Sequence, residues 1–168
     1  MTLASLTLQA KISGVQSSSH DLGALEFQPN LAFVKALTNG TGANQADLLF
    51  ADTRTLAASA TEDLDLAGVL TDAFGAVITM VEVVAILITA DAANTNNVVV
   101  GDATSPVPLF GGTNGSFAVK PGGMFMAVAP NAAGLFTVGA GSTDDLKITN
   151  SSSGTGVTYS IVVVGRSA

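Results

Sequence analysis

Val157-Thr158-Tyr159-Ser160-Ile161-Val162-Val163-Val164-Gly165 is the stretch on which the fold turns. Val157, Tyr159, Ile161 and Val163 share one face of an extended chain, opposite Thr158 and Ser160. A period of two is what a β-strand with one buried face requires. The same period recurs upstream. Val81, Val83, Ala85 and Leu87 fall on one face of Val81 to Thr89, and Glu82, Val84, Ile86 and Ile88 on the other. Both faces are apolar, as in an inner strand. Near the start, Leu6, Leu8, Ala10 and Ile12 alternate with Thr7, Gln9 and Lys11.

Between these anchors the chain breaks into short apolar runs divided by Gly, Pro, Asn and Asp. Leu31 to Leu37 reads as a strand, and Asn39-Gly40 after it favours the positive φ of a tight turn. Leu48 to Ala57 and Thr61 to Leu66 flank Ala58-Ser59-Ala60 and suggest a hairpin. Val98 to Gly101, Ser116 to Lys120, Met124 to Ala129, Leu135 to Gly139 and Leu146 to Asn150 complete the set. Their spacing of about ten residues is that of an antiparallel sandwich or barrel rather than of βαβ units. Helical readings survive only at Leu22 to Phe27 and Leu64 to Phe74, with Gly68 and Gly75 weakening the second. The fold class is therefore all-β. Residues 1–44 read as an N-terminal strand or arm with a connecting segment and 45–168 as the sandwich body, together one domain.

Composition narrows the function classes. Of 168 residues only 11% are charged, against roughly 25% in ordinary soluble domains, while 48% are hydrophobic. That balance excludes disorder. So few charges imply either a surface of Thr, Ser, Asn and Gly or one partly covered by other subunits. The net charge of −7 and a pI near 4.2 argue against nucleic acid and anionic membranes as partners. Cysteine is absent, which removes disulfides, thiolate metal sites and thiol chemistry. Met1 to Leu8 lacks the basic start and continuous apolar core of a secretory signal. The densest apolar run, Gly75 to Ile88, is shorter than the ~20 residues of a membrane span and includes Glu82. A soluble protein is expected.

Residues able to carry chemistry are few. His20 is the single histidine and sits in Ser17-Ser18-Ser19-His20-Asp21, the setting of a solvated loop rather than of a triad. Glu62, Asp63 and Asp65 form one acidic cluster and Asp144-Asp145 another, yet neither has the spacing of a calcium loop. Gly139-Ala140-Gly141 and Gly154-Thr155-Gly156 lack the remainder of a nucleotide fingerprint and read as turns. Gly112-Thr113-Asn114-Gly115-Ser116 resembles a nucleophile elbow only loosely. With no Trp and one Tyr, Tyr159, on a face that reads as buried, a sugar-stacking platform is disfavoured. The Asn-x-Ser/Thr sites at Asn39, Asn114 and Asn150 matter only in a eukaryotic secretory pathway. No catalytic, cofactor-binding or metal-binding residue is assigned, and no enzyme is expected.

One ordered set of segments carries a resemblance. Asp52-Thr53-Arg54-Thr55-Leu56, Glu62-Asp63-Leu64-Asp65-Leu66-Ala67-Gly68, Val83-Val84-Ala85-Ile86-Leu87-Ile88 and Val98-Val99-Val100-Gly101 follow one another. Downstream come Val119-Lys120-Pro121-Gly122-Gly123, Asp144-Asp145-Leu146-Lys147-Ile148-Thr149-Asn150 and Tyr159-Ser160-Ile161-Val162-Val163-Val164-Gly165. The run, over residues 45–165, resembles small virion proteins of tailed bacteriophages. The resemblance implies a jelly-roll-like sandwich that decorates or cements the capsid, often as a trimer. Similar modules occur in tail, fibre and receptor-binding parts. No catalytic residue transfers. The implied partners are the chain itself and the major capsid protein, without cofactor, nucleic acid or membrane. The implied location is the outer capsid surface, after synthesis in the bacterial host cytoplasm.

Two further expectations follow. The apolar faces of Val81 to Thr89 and the small charged fraction point to self-association. Residues 1–44 match nothing in the resemblance, and Met1 to Asn30, with Leu3 and Leu6 exposed and Gly14 to His20 flexible, reads either as an arm that orders on docking or as a first core strand.

Overall fold

A computed structural model describes residues 3–111 and 114–168. The strands are β1 (Leu6–Ser13), β2 (Gln16–His20), β3 (Gly23–Phe27), β4 (Asn30–Asn39), β5 (Gln45–Ala46), β6 (Leu48–Leu56) and β7 (Thr61–Asp65). They continue as β8 (Glu82–Ala90), β9 (Val98–Gly101), β10 (Ser116–Val119), β11 (Met124–Val128), β12 (Phe136–Thr137), β13 (Asp145–Asn150) and β14 (Val157–Arg166). Among the described residues the sole helical element is a single 3₁₀ turn at Pro108–Phe110. Both helical readings therefore fail. Leu22 to Phe27 is taken up by β3, which pairs with β2. Beyond Asp65, the chain to Phe74 satisfies its backbone across loops, with Leu66 N–H on Asp144 O at 3.0 Å and Leu70 O accepting from Ile78 N–H at 2.8 Å.

Two antiparallel sheets make the sandwich. One runs β11-β8-β14-β6, with β12 added on β8, and the other runs β10-β9-β13-β7. Tyr159, Ile161, Val163, Ile86 and Ile88 from the first meet Leu64, Val98, Val100, Leu146 and Ile148 from the second in one buried cluster. The alternation read from Val157 to Val163 is the inward face of β14, all four residues buried.

The hairpin expected around Ala58-Ser59-Ala60 does not form. β6 pairs with β14 and β7 with β13, so the short loop carries the chain from one sheet to the other. Ser59 turns with a φ of 57°, and its N–H donates to Ser152 O at 2.9 Å, which anchors the loop to the β13–β14 connection. Gly40 takes a positive φ, 141°, as Asn39-Gly40 favours, but no hairpin follows. The chain turns there and returns as β5 in parallel with β4, Thr38 opposite Gln45.

Strict alternation in β8 breaks at one point. Ala85 pairs with Val164 and Val83 with Gly165, leaving Val84 as the extra residue of a bulge. Val83, Ile86 and Ile88 consequently face the inter-sheet core, whereas Val84 and Ala85 face outward into a second cluster. Gly165 makes the bulge feasible. A Cβ there would lie 2.6 Å from Met80 Sδ and 2.8 Å from Glu82 O.

The second cluster covers the outer face of the first sheet. Leu8, Leu37 and Ala46 pack on Val84, Ala85 and Val164, flanked by Leu3, Leu6, Met126 and Val162. Both faces of β8 are thus covered by this chain itself, and its apolar patterning does not require a partner. Leu3 and Leu6, expected to be exposed, are half-buried here. Where this cover ends, the outer face turns polar, with Thr55 Oγ1 bonded to Thr158 Oγ1 at 3.0 Å and Thr53 Oγ1 to Ser160 Oγ at 2.8 Å. Paired hydroxyls explain how the surface manages with few charges.

Candidate functional site

β1 pairs with β4 from Leu6↔Leu37 to Ser13↔Asn30, and β2 with β3 from Gln16↔Phe27 to His20↔Gly23. The two ladders share one unslipped register across the break at Gly14-Val15 and Gln28-Pro29. Pro29 has no N–H to give to a ladder, but its carbonyl accepts from Gly14 N–H at 3.2 Å. Residues 6–39 therefore form one long two-stranded ribbon. Its base is held by Leu8 and Leu37 in the second core cluster, and from Gln9 outward β1, β2 and β3 are exposed throughout. At a rise of ~3.3 Å per residue, Gln9 to His20 spans on the order of 35 Å. Within the segment read as an arm or a first core strand, Leu6–Ser13, Gln16–His20 and Gly23–Phe27 are paired strand, and Met1 and Thr2 lie outside the described residues.

Directly paired residues point to the same side of a ribbon. One side carries Leu6, Leu8, Ala10 and Ile12 with Leu37, Lys35, Phe33 and Leu31, then Phe27 opposite Gln16 and Leu25 opposite Ser18. At the base this side packs on the body, with Ala10 and Phe33 bordering a hollow beside Met126 and Val128. Farther out it meets nothing among the described residues. Ile12 is 75% exposed, Leu31 76%, Phe27 65% and Leu22 at the tip 95%. Of the fourteen large apolar side chains exposed among the described residues, eight lie between Ile12 and Val34. The other side is more polar, with Lys11, Ser13, Ser17, Ser19, Glu26, Gln28 and Asn30, though the exposed Val34 opposite Gln9 also lies there. Lys11 and Lys35 balance Asp21 and Glu26, so the formal charge of −7 resides on the body.

The residues weighed for chemistry from sequence take structural roles. His20 lies at the exposed ribbon tip, its Nδ1 accepting from Leu22 N–H at 3.4 Å. Glu62 is drawn into a link between the sheets, accepting from Tyr159 O–H at 2.6 Å and from Arg54 Nη1 at 2.7 Å. Burial, and then the bond to Glu62, push the Tyr159 phenol well above its ordinary range. The two acidic clusters converge because β7 and β13 are neighbours, placing Asp65 opposite Asp145. Asp65 Oδ1 caps Ala67 N–H at 2.7 Å, and Asp144 accepts from Gly141 N–H. Burial, reinforced by Asp63, Asp144 and Asp65, raises the Asp145 carboxyl. Among the described residues no three potential metal ligands lie together.

Gly141 and Gly154 occupy turns with φ of 71° and 100°. Gly112 and Thr113 of the loose elbow lie outside the described residues. Asn150 is buried, its Nδ2 donating to Ala57 O at 2.9 Å and Thr155 O at 2.8 Å. Asn39 Oδ1 accepts from Leu3 N–H at 2.9 Å, and Asn114 is exposed.

Sequence reading passed over Arg166. It is fully buried and donates to Glu82 Oε2 at 2.7 Å, Asn131 O at 2.8 Å, Gln45 O at 3.0 Å and Ala132 O at 3.1 Å. It ties the end of β14 to β5 and to the loop after β11. A Glu in an otherwise apolar run, Glu82, was the available signal for a buried partner.

Comparison with known proteins finds no matching family model, no matching curated protein and no matching solved structure.

Proposed function

We propose that this chain is a structural subunit of a bacteriophage virion, a decoration or cement protein that binds the assembled head. The observation that carries the reading is the ribbon, whose apolar side continues a core contact out into solvent with no cover of its own. An uncovered apolar face of this length marks a surface buried on assembly. Two features of the body support the same reading. Its strand orders, β6-β14-β8-β11 and β7-β13-β9-β10, are compatible with a jelly-roll-like sandwich, the chain crossing between the sheets at β6–β7, β7–β8 and β8–β9 and again at β10–β11 and β13–β14. The segments that resemble virion proteins fall in the sandwich, at β6, β7, β8, β9, the β10–β11 turn, β13 and β14, and leave the ribbon outside.

Decoration needs no catalysis. A subunit that binds only the assembled lattice stabilises that state by mass action, and contacts to several capsomers must break together before the shell parts. In this reading the chain is a homotrimer on the outer capsid surface. A tail, fibre or receptor-binding part would use the same fold at far lower copy number. Quantitative electrophoresis of purified particles tests the assignment: a molar amount comparable with the major capsid protein is expected. A trace stoichiometry would move the chain to the tail, and absence from particles would overturn the virion reading.

A further inference from the structure

We propose that the apolar side of the ribbon is the interface between copies of this chain, each ribbon laying its Ile12, Leu25, Phe27 and Leu31 side against the same side of a neighbour. The proposal names the partner of the surface just described and rests on that surface being buried on assembly. It does not depend on a phage being the setting.

Area, charge and continuity lead to this occupant. An aromatic side chain buries ~150–250 Å² and aliphatic ones somewhat less. At their exposures Ile12, Leu22, Leu25, Phe27, Leu31 and Phe33 together offer on the order of 700 Å². A standard interface takes about 800 Å² from each partner. The strip is two strands wide and on the order of 35 Å long, so a cover must be equally long and apolar. Among the described residues the exposed large apolar side chains of the body are Val69, Phe74, Val77, Val81, Phe117 and Met124, in separate segments rather than one strand. A hollow of about 380 Å³ between Leu3, Leu49, Phe74 and Val77 has room for a few side chains at most and is edged by Asp47 and Asp72. A second ribbon matches the first in length and in character.

Charge separates this contact from the alternatives. Two bodies, each bearing the formal charge of −7, repel on approach, whereas the ribbons are neutral and meet without that cost. The contact also extends one that the fold already makes, since the side in question packs on Met126 and Val128 at its base. Two such strips meeting face to face close on a twofold axis, and three facing a common threefold axis close as a ring, so neither arrangement leaves an apolar end to propagate. Pro29 and the break beside it interrupt the ribbon edges and oppose open-ended strand addition.

The absence of cysteine makes the test direct, because a single introduced thiol can form a disulfide only between molecules. Ser18 stands opposite Leu25 on the apolar side, and its neighbour Ser17 stands opposite Glu26 on the polar side. Ser18→Cys and Ser17→Cys, in the full chain at micromolar concentration, are oxidised with diamide and run on non-reducing gels beside sedimentation of the unmodified protein. The expected result is a sedimenting oligomer, with covalent dimer formed by Ser18→Cys at least tenfold faster than by Ser17→Cys. Saturation at two thirds of the chains marks a trimer and complete conversion a dimer, and either agrees with the interface. Equal rates in the two variants, or an oligomer in which Ser18→Cys fails to link, would overturn it while leaving self-association through the body open. A monomer throughout would overturn it as well. None of these outcomes alters the copy number on particles, so the virion reading stands or falls separately.

Discussion

The body and the ribbon use the same period-two patterning to opposite ends. In β14 the apolar side, Val157 to Val163, meets a second sheet and is fully buried; in β1 the apolar side begins buried at Leu8 and is 75% exposed by Ile12. Alternation therefore specifies that a face exists, not what covers it. In the body the cover is supplied by the same chain, and stability follows from burial. In the ribbon beyond Gln9 the backbone stays paired on both sides of the break at Pro29 while the side chains are exposed, so little folding free energy should reside there.

Substitutions can break this contrast. The largest loss is expected at Arg166. Arg166→Ala strands Glu82 and the carbonyls of Gln45, Asn131 and Ala132, and removing one partner of a buried ion pair costs about 3–5 kcal/mol. Urea unfolding would show it as a lower midpoint at unchanged slope. A loss under ~1 kcal/mol would mean that water reaches the site and that the latch is dispensable.

A matched pair of isoleucines sharpens the comparison. Ile148→Ala opens a cavity between the sheets and should cost ~2–5 kcal/mol, whereas Ile12→Ala, measured at concentrations where the chain is monomeric, should stay within ~0.5 kcal/mol. Comparable losses at the two positions would show that the ribbon contributes to the stability of the single chain.

The smallest effect concerns Asp145. Its folded carboxyl titrates above its unfolded value because of burial and the neighbouring Asp63, Asp144 and Asp65. The ionised form is therefore disfavoured in the folded state at neutral pH, and the penalty is relieved as pH falls through the raised pKa. Asp145→Asn should stabilise at pH 7 by less than about 1 kcal/mol, given solvent screening. The gain should shrink to nothing in acid. A gain that persists at low pH would point to packing rather than charge.

Much of the sandwich was legible because its signals are local. The alternation in Val157 to Gly165 and the runs at Val98, Ser116, Met124 and Leu146 became β14, β9, β10, β11 and β13. What escaped was set at a distance. Ala58-Ser59-Ala60 has the length of a hairpin loop, and nothing within it reveals that β6 prefers β14 nine residues deep. The bulge at Val84 depends on how closely Gly165 approaches Met80 and Glu82. Leu22 to Phe27 admits a helix when read alone, and only the pairing of Gly23–Phe27 with Gln16–His20 makes it a strand. As for the candidate site, the apolar side of Leu6 to Ile12 could be read, but its exposure could not, because exposure depends on where the body ends.

The unslipped register of the ribbon has a consequence for its length. Removing two residues from each strand at paired positions, such as Lys11-Ile12 with Leu31-Ala32, keeps every remaining pair matched and every outward side chain on its original side. Removing one from each keeps the pairs but turns the distal half over, sending Phe27 and Leu25 to the opposite side. Related chains can thus shorten or extend this projection only in steps of two residues per strand. The reach between neighbouring copies would then vary in increments of ~7 Å, like a ruler cut in whole units.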